Sequence, residues 1–334
     1  MEDPLVAIII LNWNGWKDTI ECLESVFQVN YPNYCVVLVD NHSTDESMQK
    51  IVDYANGNEP VKSKFFEYNP INKPLQFVKV KECSETIQNQ NNQLFIIENN
   101  INEGFAEGNN IGMKFAAETL NPEYYLLLNN DTIVKNDFLK HLIDESEKDV
   151  KIGILGPKIY YYDHPNIIWS VGGKIDWNFA RGLHIGINEV DHGQYDEISK
   201  FDYINGAALL LKDEIVNKVG LLNKNLFLYF EETDLALRAK SHGYRSLYVP
   251  RAEVWHKISQ SGGGLSKPIG LYYITRNRWL FMKKWAKKSN YIIFVCYQLL
   301  GALLFPILLT LYYKNRLLFK AYIKGLYDGI VTDY

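Results

Sequence analysis

The chain has 334 residues, 47% of them hydrophobic and 22% charged, which excludes a disordered tail or a disulfide-stapled miniprotein and leaves room for one large domain or two modest ones. Its four cysteines, Cys22, Cys35, Cys83 and Cys296, form no CxxC pair, which argues against a zinc ribbon or disulfide framework and fits a reducing compartment. The net charge of −4 conceals a division: residues 256–334 hold 12 Lys and Arg against 2 Asp and Glu, or +10, while the first 255 hold 23 against 37, or −14.

Met1-Glu2-Asp3-Pro4 is acidic and the apolar run behind it is short, so no signal peptide is expected. Leu5 to Leu11 reads as a buried strand ending at Asn12-Trp13-Asn14-Gly15. A helical pattern follows through Val29, with Ile20, Leu23, Val26 and Phe27 on one face. A second strand, Cys35 to Val39, ends at Asp40-Asn41-His42-Ser43-Thr44-Asp45, and a helix runs from about Glu46 to Tyr54. This alternation predicts an α/β fold on a parallel sheet, its ligand crevice at the strand C-termini.

Between Asn56 and Gln93 the pattern degrades, and Gln88 to Gln93 reads as a polar loop tip. A strand at Leu94–Ile97 then precedes Asn102-Glu103-Gly104-Phe105-Ala106-Glu107-Gly108-Asn109-Asn110, which opens another helix. The strand Tyr124–Leu128 ends at Asn129-Asn130-Asp131-Thr132. Residues 151–255 are strand-rich and aromatic and include a helix from Glu232 to Ser241. Tyr291 to Tyr313 is 23 residues without a charge, or roughly 35 Å if helical, against a hydrocarbon core of about 30 Å. Lysines and arginines flank it, with Trp285 and Tyr291 at one edge and Tyr312 and Tyr313 at the other. Membrane contact by spanning or by lying in the interface is expected, with a buried soluble helix as the alternative.

The polar clusters sit at strand ends. Asp40 can accept from the N–H of a pyrimidine base, with the amides of Asn12 and Asn14 beside it. Asn102, Gly104 and Asn109 lie on a third loop, where glycine lets a backbone approach a ligand closely. Each cluster alone is also an ordinary turn. Asp131 can hold a divalent cation bridging two phosphates, and His256, after the run Tyr248–Trp255, is a second potential ligand that favours Mn²⁺ over Mg²⁺. Phe230-Glu231-Glu232-Thr233-Asp234 puts three acids at a helix start, where they either complement the dipole or supply a base.

The ordered set of motifs resembles the family 2 glycosyltransferases of the GT-A fold, in particular their rhamnosyltransferase-like branch. The matching stretches run from Val6 to Gly15, Val39 to Asp45, Asn102 to Asn110 and Leu126 to Thr132. They continue through Asn205-Gly206-Ala207-Ala208 and Tyr229 to Arg238 to Gly243, Pro250 and His256. The resemblance implies a nucleotide-sugar donor held by Asp40 with Asn12, Asn14, Asn41, Ser43, Asn102, Gly104, Asn109 and Asn130. It implies a metal, Mn²⁺ or Mg²⁺, at Asp131 and His256, a general base at Glu232, and acceptor contacts at Gly206, Ala207 and Asp234. Two departures stand out: Asn129 replaces the first acid of the family's DxD motif, and Glu232 replaces the commoner Asp.

The expected organisation is a transferase domain over 1–270, with a donor half to about 132 and an acceptor half beyond it, then a basic, apolar helical region over 271–334. The expected activity is inverting transfer from dTDP-rhamnose or a UDP-hexose to a glycan or lipid-linked acceptor, at the cytoplasmic face of the membrane. Ser259 to Ser266, rich in Gly and Ser, would be a lid. A weakly catalytic scaffold at the membrane is the alternative reading. A nicotinamide-dependent oxidoreductase is disfavoured because the first strand leads to Asn-Trp-Asn-Gly and not to G-x-G-x-x-G. Nucleic acid is not an expected partner, since the bases flank an apolar run that suits anionic lipid better.

Overall fold

The structure, a computed structural model, describes residues 3–80, 92–258, 264–311 and 316–334; for 264 and 303–311 only the backbone is described. The first half builds β1 (Val6–Asn12), α1 (Trp16–Val26), β2 (Tyr34–Asp40), α2 (Ser47–Ala55), β3 (Phe77–Val80) and β4 (Leu94–Glu98). These are followed by α3 (Gly104–Thr119), β5 (Tyr124–Asn129), β6 (Thr132–Val134) and α4 (Phe138–Ser146). β1 lies between β2 and β5, parallel to both, and β4 extends the sheet in the same direction beside β2.

These strands are continuous apolar runs because both faces are covered. Successive residues of β1 go to opposite sides: Ala7 and Ile9 join a core with Met113, Phe115 and Ala116 of α3, while Val6, Ile8 and Ile10 join another with Ile20 and Leu23 of α1 and Leu139 and Leu142 of α4. α3 lies very close to β1, since a Cβ on Gly112 would come within 2.5 Å of Ile9. The strand and helix expectations here hold within a few residues, although α1 stops at Val26 and not Val29.

The second half departs from a purely parallel sheet. It comprises β7 (Ile152–Tyr161), β8 (Ile167–Ser170), β9 (Gly173–Asp176), β10 (Arg181–His184), β11 (Glu189–Val190), β12 (Ser199–Lys200), β13 (Ala208–Lys212), α5 (Asp213–Lys218), α6 (Glu231–Ser241) and β14 (Arg245–His256). β13 inserts between β5 and β7, antiparallel to both. Among the described residues the result is a mixed 12-stranded sheet, with β9 and β10 as a separate hairpin. The apolar run of β13 reports burial, which is the same for either strand direction.

α7 (Pro268–Trp285), α8 (Lys288–Leu311) and α9 (Arg316–Val331) complete the chain. α9 runs beside α7 in the same direction. Gly325 faces the Tyr272 carbonyl and Gly329 that of Arg276, and a Cβ on either would approach to 2.6 or 2.8 Å. Among the described residues no helix is long and apolar enough to cross a membrane, so the spanning form of the expected membrane segment finds no support there. The end of that segment, 312–313, lies outside the described residues, as do 88–91 of the polar loop tip and 259–263 of the expected lid.

Candidate active site

The parallel strands β1, β2 and β5 deliver their C-terminal loops to one edge of the sheet. There Asp40 is 3% exposed. Its Oδ1 accepts from Asn12 Nδ2 at 2.7 Å and Ser43 Oγ at 2.6 Å, and its Oδ2 accepts from Ser43 N at 2.9 Å. Asn14, held at φ 51°, turns its Oδ1 to the Thr44 N–H at 2.8 Å. The first two loops are thus bonded to each other, and Trp13, 42% exposed between the two asparagines, presents its ring at their rim.

Asn41 and Asn102 join the second loop to the third. Asn41 Nδ2 donates to Asn102 Oδ1 at 3.0 Å and to the Gly104 carbonyl at 3.1 Å, and its Oδ1 accepts from Glu103 N at 3.0 Å. Gly104 has φ 79°, and a side chain there would strike the Phe227 ring. Asn109, 2% exposed, donates to the Phe105 carbonyl. Asn130 Nδ2 donates to Thr19 Oγ1 at 2.9 Å, and Gly15 leaves room for it. Several residues expected to bind donor therefore spend their polar atoms inside the loops, shaping the crevice from behind.

His256 ends β14 and Asp131 sits in the turn between β5 and β6. The antiparallel pairing of His256 with Thr132 brings them together, with Nε2 and Oδ1 3.0 Å apart and both side chains nearly buried. Two adjacent ligands about 2.1 Å from one octahedral cation are separated by about the same distance, so the pair fits a divalent metal. Among the described residues no third His, Cys, Asp or Glu joins them. His256 Nδ1 is buried without a hydrogen-bond partner, and the Trp169 ring meets the imidazole edge-on at 4.7 Å between centroids.

The other wall comes from the second half. Asn129 N donates to the Ala207 carbonyl at 2.9 Å, which brings the Asn205-Gly206-Ala207 turn to the end of β5, two residues from Asp131. Any Cβ on Gly206 would touch Glu232 Cβ and Cγ at 3.9 Å. Glu232 is the second residue of α6, and burial pushes its carboxyl up to about 7, against hydrogen bonds from the backbone that pull it down. Glu231 is driven well upward by burial and by the charge of Glu232, and its Oε2 is buried without a partner.

Asp234 departs from its expected acceptor role. It is 0% exposed, and its carboxylate accepts from Arg238 Nε at 2.7 Å, Trp285 Nε1 at 2.9 Å and Lys284 Nζ at 3.2 Å. It fastens α6 to α7 and has no face toward the cleft.

The backbone entering α6 is unusual. Phe227, Tyr229 and Phe230 all have positive φ, at 62°, 72° and 75°, a region costly for bulky residues. Asn277, fully buried on α7, donates through Nδ2 to the carbonyls of Leu226, Leu228 and Tyr229 at 2.8, 2.9 and 2.9 Å. Neither Asn277 nor the wall formed by Trp169, His184 and Tyr203 was expected from sequence. An asparagine inside an otherwise apolar helix face is the one local signal that marks Asn277. His184 stands 5.1 Å from the Trp169 ring by centroids, with Asn205 Nδ2 3.4 Å from its Nδ1. Burial, then the charge of His256, lowers its pKa.

A family model described as glycosyltransferase like family 2 matches residues 4–281. The chain belongs to glycosyltransferase-like family 2. Its relatives include the low-salt glycan biosynthesis hexosyltransferase Agl10 of Haloferax volcanii, 22% identical over 66% of this chain and 72% of Agl10. The dTDP-rhamnosyl transferase RfbF of Shigella flexneri is 25% identical over 55% of this chain and 61% of its own length. The family member thus spans less than two thirds of RfbF. Among solved structures, the Pyrobaculum calidifontis mannosyltransferase PcManGT with GDP-Man and Mn²⁺ superposes with a TM-score of 0.57 at 13% identity, over 99% of this chain and 88% of that one. S. aureus TarS 1–349 with UDP-GlcNAc gives 0.55 at 14% identity, over 97% and 80%. These likenesses establish a GT-A-like α/β fold with a mixed central sheet.

Proposed function

We propose that this chain is an inverting, metal-assisted glycosyltransferase moving a sugar from a nucleotide-sugar donor to a glycan or lipid-linked acceptor. The observation that carries the reading is one connection: Glu232 packs beside Gly206, whose neighbour Ala207 is bonded to Asn129, two residues from the Asp131–His256 pair. A base and a cation site thus flank one crevice.

The donor's nucleoside lies against the first three loops. The Trp13 ring offers a stacking face, and Asp40, Asn12, Asn14, Asn41, Ser43, Asn102, Gly104, Asn109 and Asn130 shape the recess. A Mn²⁺ or Mg²⁺ ion at Asp131 and His256 would supply positive charge to the diphosphate as it departs. Glu232, its carboxyl raised to about 7, takes the proton from the acceptor hydroxyl while that oxygen attacks the anomeric carbon. The C–O bond to the diphosphate breaks on the opposite face, so configuration inverts in one displacement and no covalent enzyme intermediate forms. Gly206 and Ala207 leave the acceptor room beside the base. The donor is dTDP-rhamnose or a UDP-hexose, in keeping with the relative named a dTDP-rhamnosyl transferase.

The chain rests on the membrane surface through its last helices, which supports an acceptor carried on lipid. Ile292, Ile293, Leu299 and Leu300 of α8 and Leu317, Phe319, Ile323 and Tyr327 of α9 are exposed, with Lys320 and Lys324 among them to meet anionic headgroups. The free thiols of Cys22 and Cys296 suit the cytoplasmic face. Residues 1–270 form the transferase unit and 271–334 its membrane-facing layer. Calorimetry with dTDP, UDP and GDP tests the donor site: binding of one nucleotide with Mn²⁺, lost on adding EDTA, supports the reading, and no binding of any refutes it.

A further inference from the structure

Where the β9–β10 hairpin meets the C-terminal helices, two arginines stand together without an acid. Arg278, on α7, has an Nε that is buried and meets no hydrogen-bond partner. Its electrostatic neighbours are Arg181, Tyr297 and Tyr322. Arg181, on β10, donates from Nη2 to the Tyr297 hydroxyl at 2.7 Å and lies over the rings of Phe179 and Tyr297 at 5.4 and 5.7 Å. Among the described residues neither arginine makes an ion pair.

The acid nearest in the strand pairing, Asp176 opposite Arg181 on β9, turns its Oδ1 to the N–H groups of Asn178 and Phe179. A guanidinium with a buried Nε and no counter-charge is unfavourable, which is why buried arginines are ordinarily paired. Burial first, then the Arg181 charge, weakens the hold of Arg278 on its proton, the mark of a cation lacking its anion. Guanidinium pairs match phosphate oxygens bidentately, which lysine does not.

We propose that Arg278 and Arg181 form a binding site for a phosphate or diphosphate group borne by a lipid. The site adjoins the apolar surface of α8, where Ile293 and Leu300 are exposed. Arg181 stands three residues before His184 on β10, about 10 Å of strand from the active-site wall. That location fits the diphosphate of a lipid-linked acceptor, an assignment resting on the proposed transfer; a phospholipid headgroup carries the same chemistry. The guanidinium of Arg278 would hold the inner oxygens, and Arg181, at the rim, the outer ones.

The test uses the full chain in EDTA, so that acidic Asp131 and its surroundings do not recruit the probe through a metal. Inorganic pyrophosphate should bind the parent, and Arg278→Met, which keeps the apolar stem, should bind it about tenfold or more weakly. Nucleotide binding with Mn²⁺ should not change. Arg181→Gln at the exposed rim should weaken pyrophosphate severalfold and serves as readout if Arg278→Met does not fold. Farnesyl diphosphate in detergent binding more tightly than pyrophosphate, in an Arg278-dependent way, identifies the lipid-linked acceptor as source. Arg278-dependent binding to phosphatidic acid vesicles, with no preference for farnesyl diphosphate, identifies the headgroup. A parent that binds no pyrophosphate, or variants that bind it as the parent does, would overturn the site. Pyrophosphate binding that survives while no nucleotide binds would refute the proposed transfer and leave this site standing.

Discussion

Asn277 Nδ2 lies 2.9 Å from the carbonyl oxygen of Tyr229, so a buried amide on α7 holds the turn that presents Glu232. The same amide reaches Leu226 and Leu228, and the turn carries three aromatic residues at positive φ. Replacing Asn277 with alanine removes a buried donor from those carbonyls and leaves the strained turn without its clamp. The expected loss is about 2–3 kcal/mol in stability, measured by denaturant unfolding. Turnover should fall further than folding accounts for, because the turn that the amide clamps presents Glu232 and packs against Gly104 of the third loop.

The raised carboxyl of Glu232 sets a pH dependence. As a base it works only when ionised, and half of it is ionised at about pH 7. Turnover at saturating metal and donor should rise about tenfold per pH unit below that point and level off above it. A rate already flat from pH 5 upward would place the base elsewhere.

The same shift bears on stability with a definite sign. The folded-state pKa of Glu232 is raised from 4.5 to about 7, so the proton is held more tightly in the fold. Its stabilising contribution is complete below about 4.5 and is lost as pH rises through 7. Glu232→Gln carries no such penalty. Thermal unfolding should show the variant gaining on the parent between pH 5 and 8, with the difference closing toward pH 4.

Metal removal separates the two halves of the site. Asp131→Asn and His256→Ala should each abolish Mn²⁺-dependent nucleotide binding while leaving the fold intact. Both lie at strand ends, and neither is needed for the core. Calorimetry reads the first effect and circular dichroism the second. Glu232→Gln, by contrast, should bind nucleotide as the parent does.

Much of this arrangement is legible in the sequence, for identifiable reasons. The runs ending at Asn12, Asp40 and Asn129 are uniformly apolar because each strand is covered on both faces, and the loops that follow are where polar clusters stand out. The antiparallel insertion of β13 is not legible, since Ala208–Leu211 is apolar for either direction. Nor does the sequence distinguish a side chain facing the crevice from one consumed behind it: Asn41 and Asp234 carry motif positions yet spend their polar atoms on Gly104, Arg238 and Trp285. Asn277 and Arg278 escape notice because their meaning lies in partners, or in a missing partner, about fifty or a hundred residues away in the chain. The charge division at His256 does gain a physical basis. The basic part contributes α7, which is fastened to α6 through Lys284 and Asp234, and α9, which packs on α7 and exposes apolar and lysine side chains.

The central claim is that Glu232 is the base of a nucleotide-sugar transferase. The most direct measurement is nucleotide diphosphate release from dTDP-, UDP- and GDP-sugars with Mn²⁺ and a lipid-linked glycan acceptor, comparing the parent with Glu232→Gln. Release by the parent from one donor class, falling on the order of 10²–10⁴-fold in the variant with donor binding retained, is the predicted result. Equal release by parent and variant would contradict the assignment.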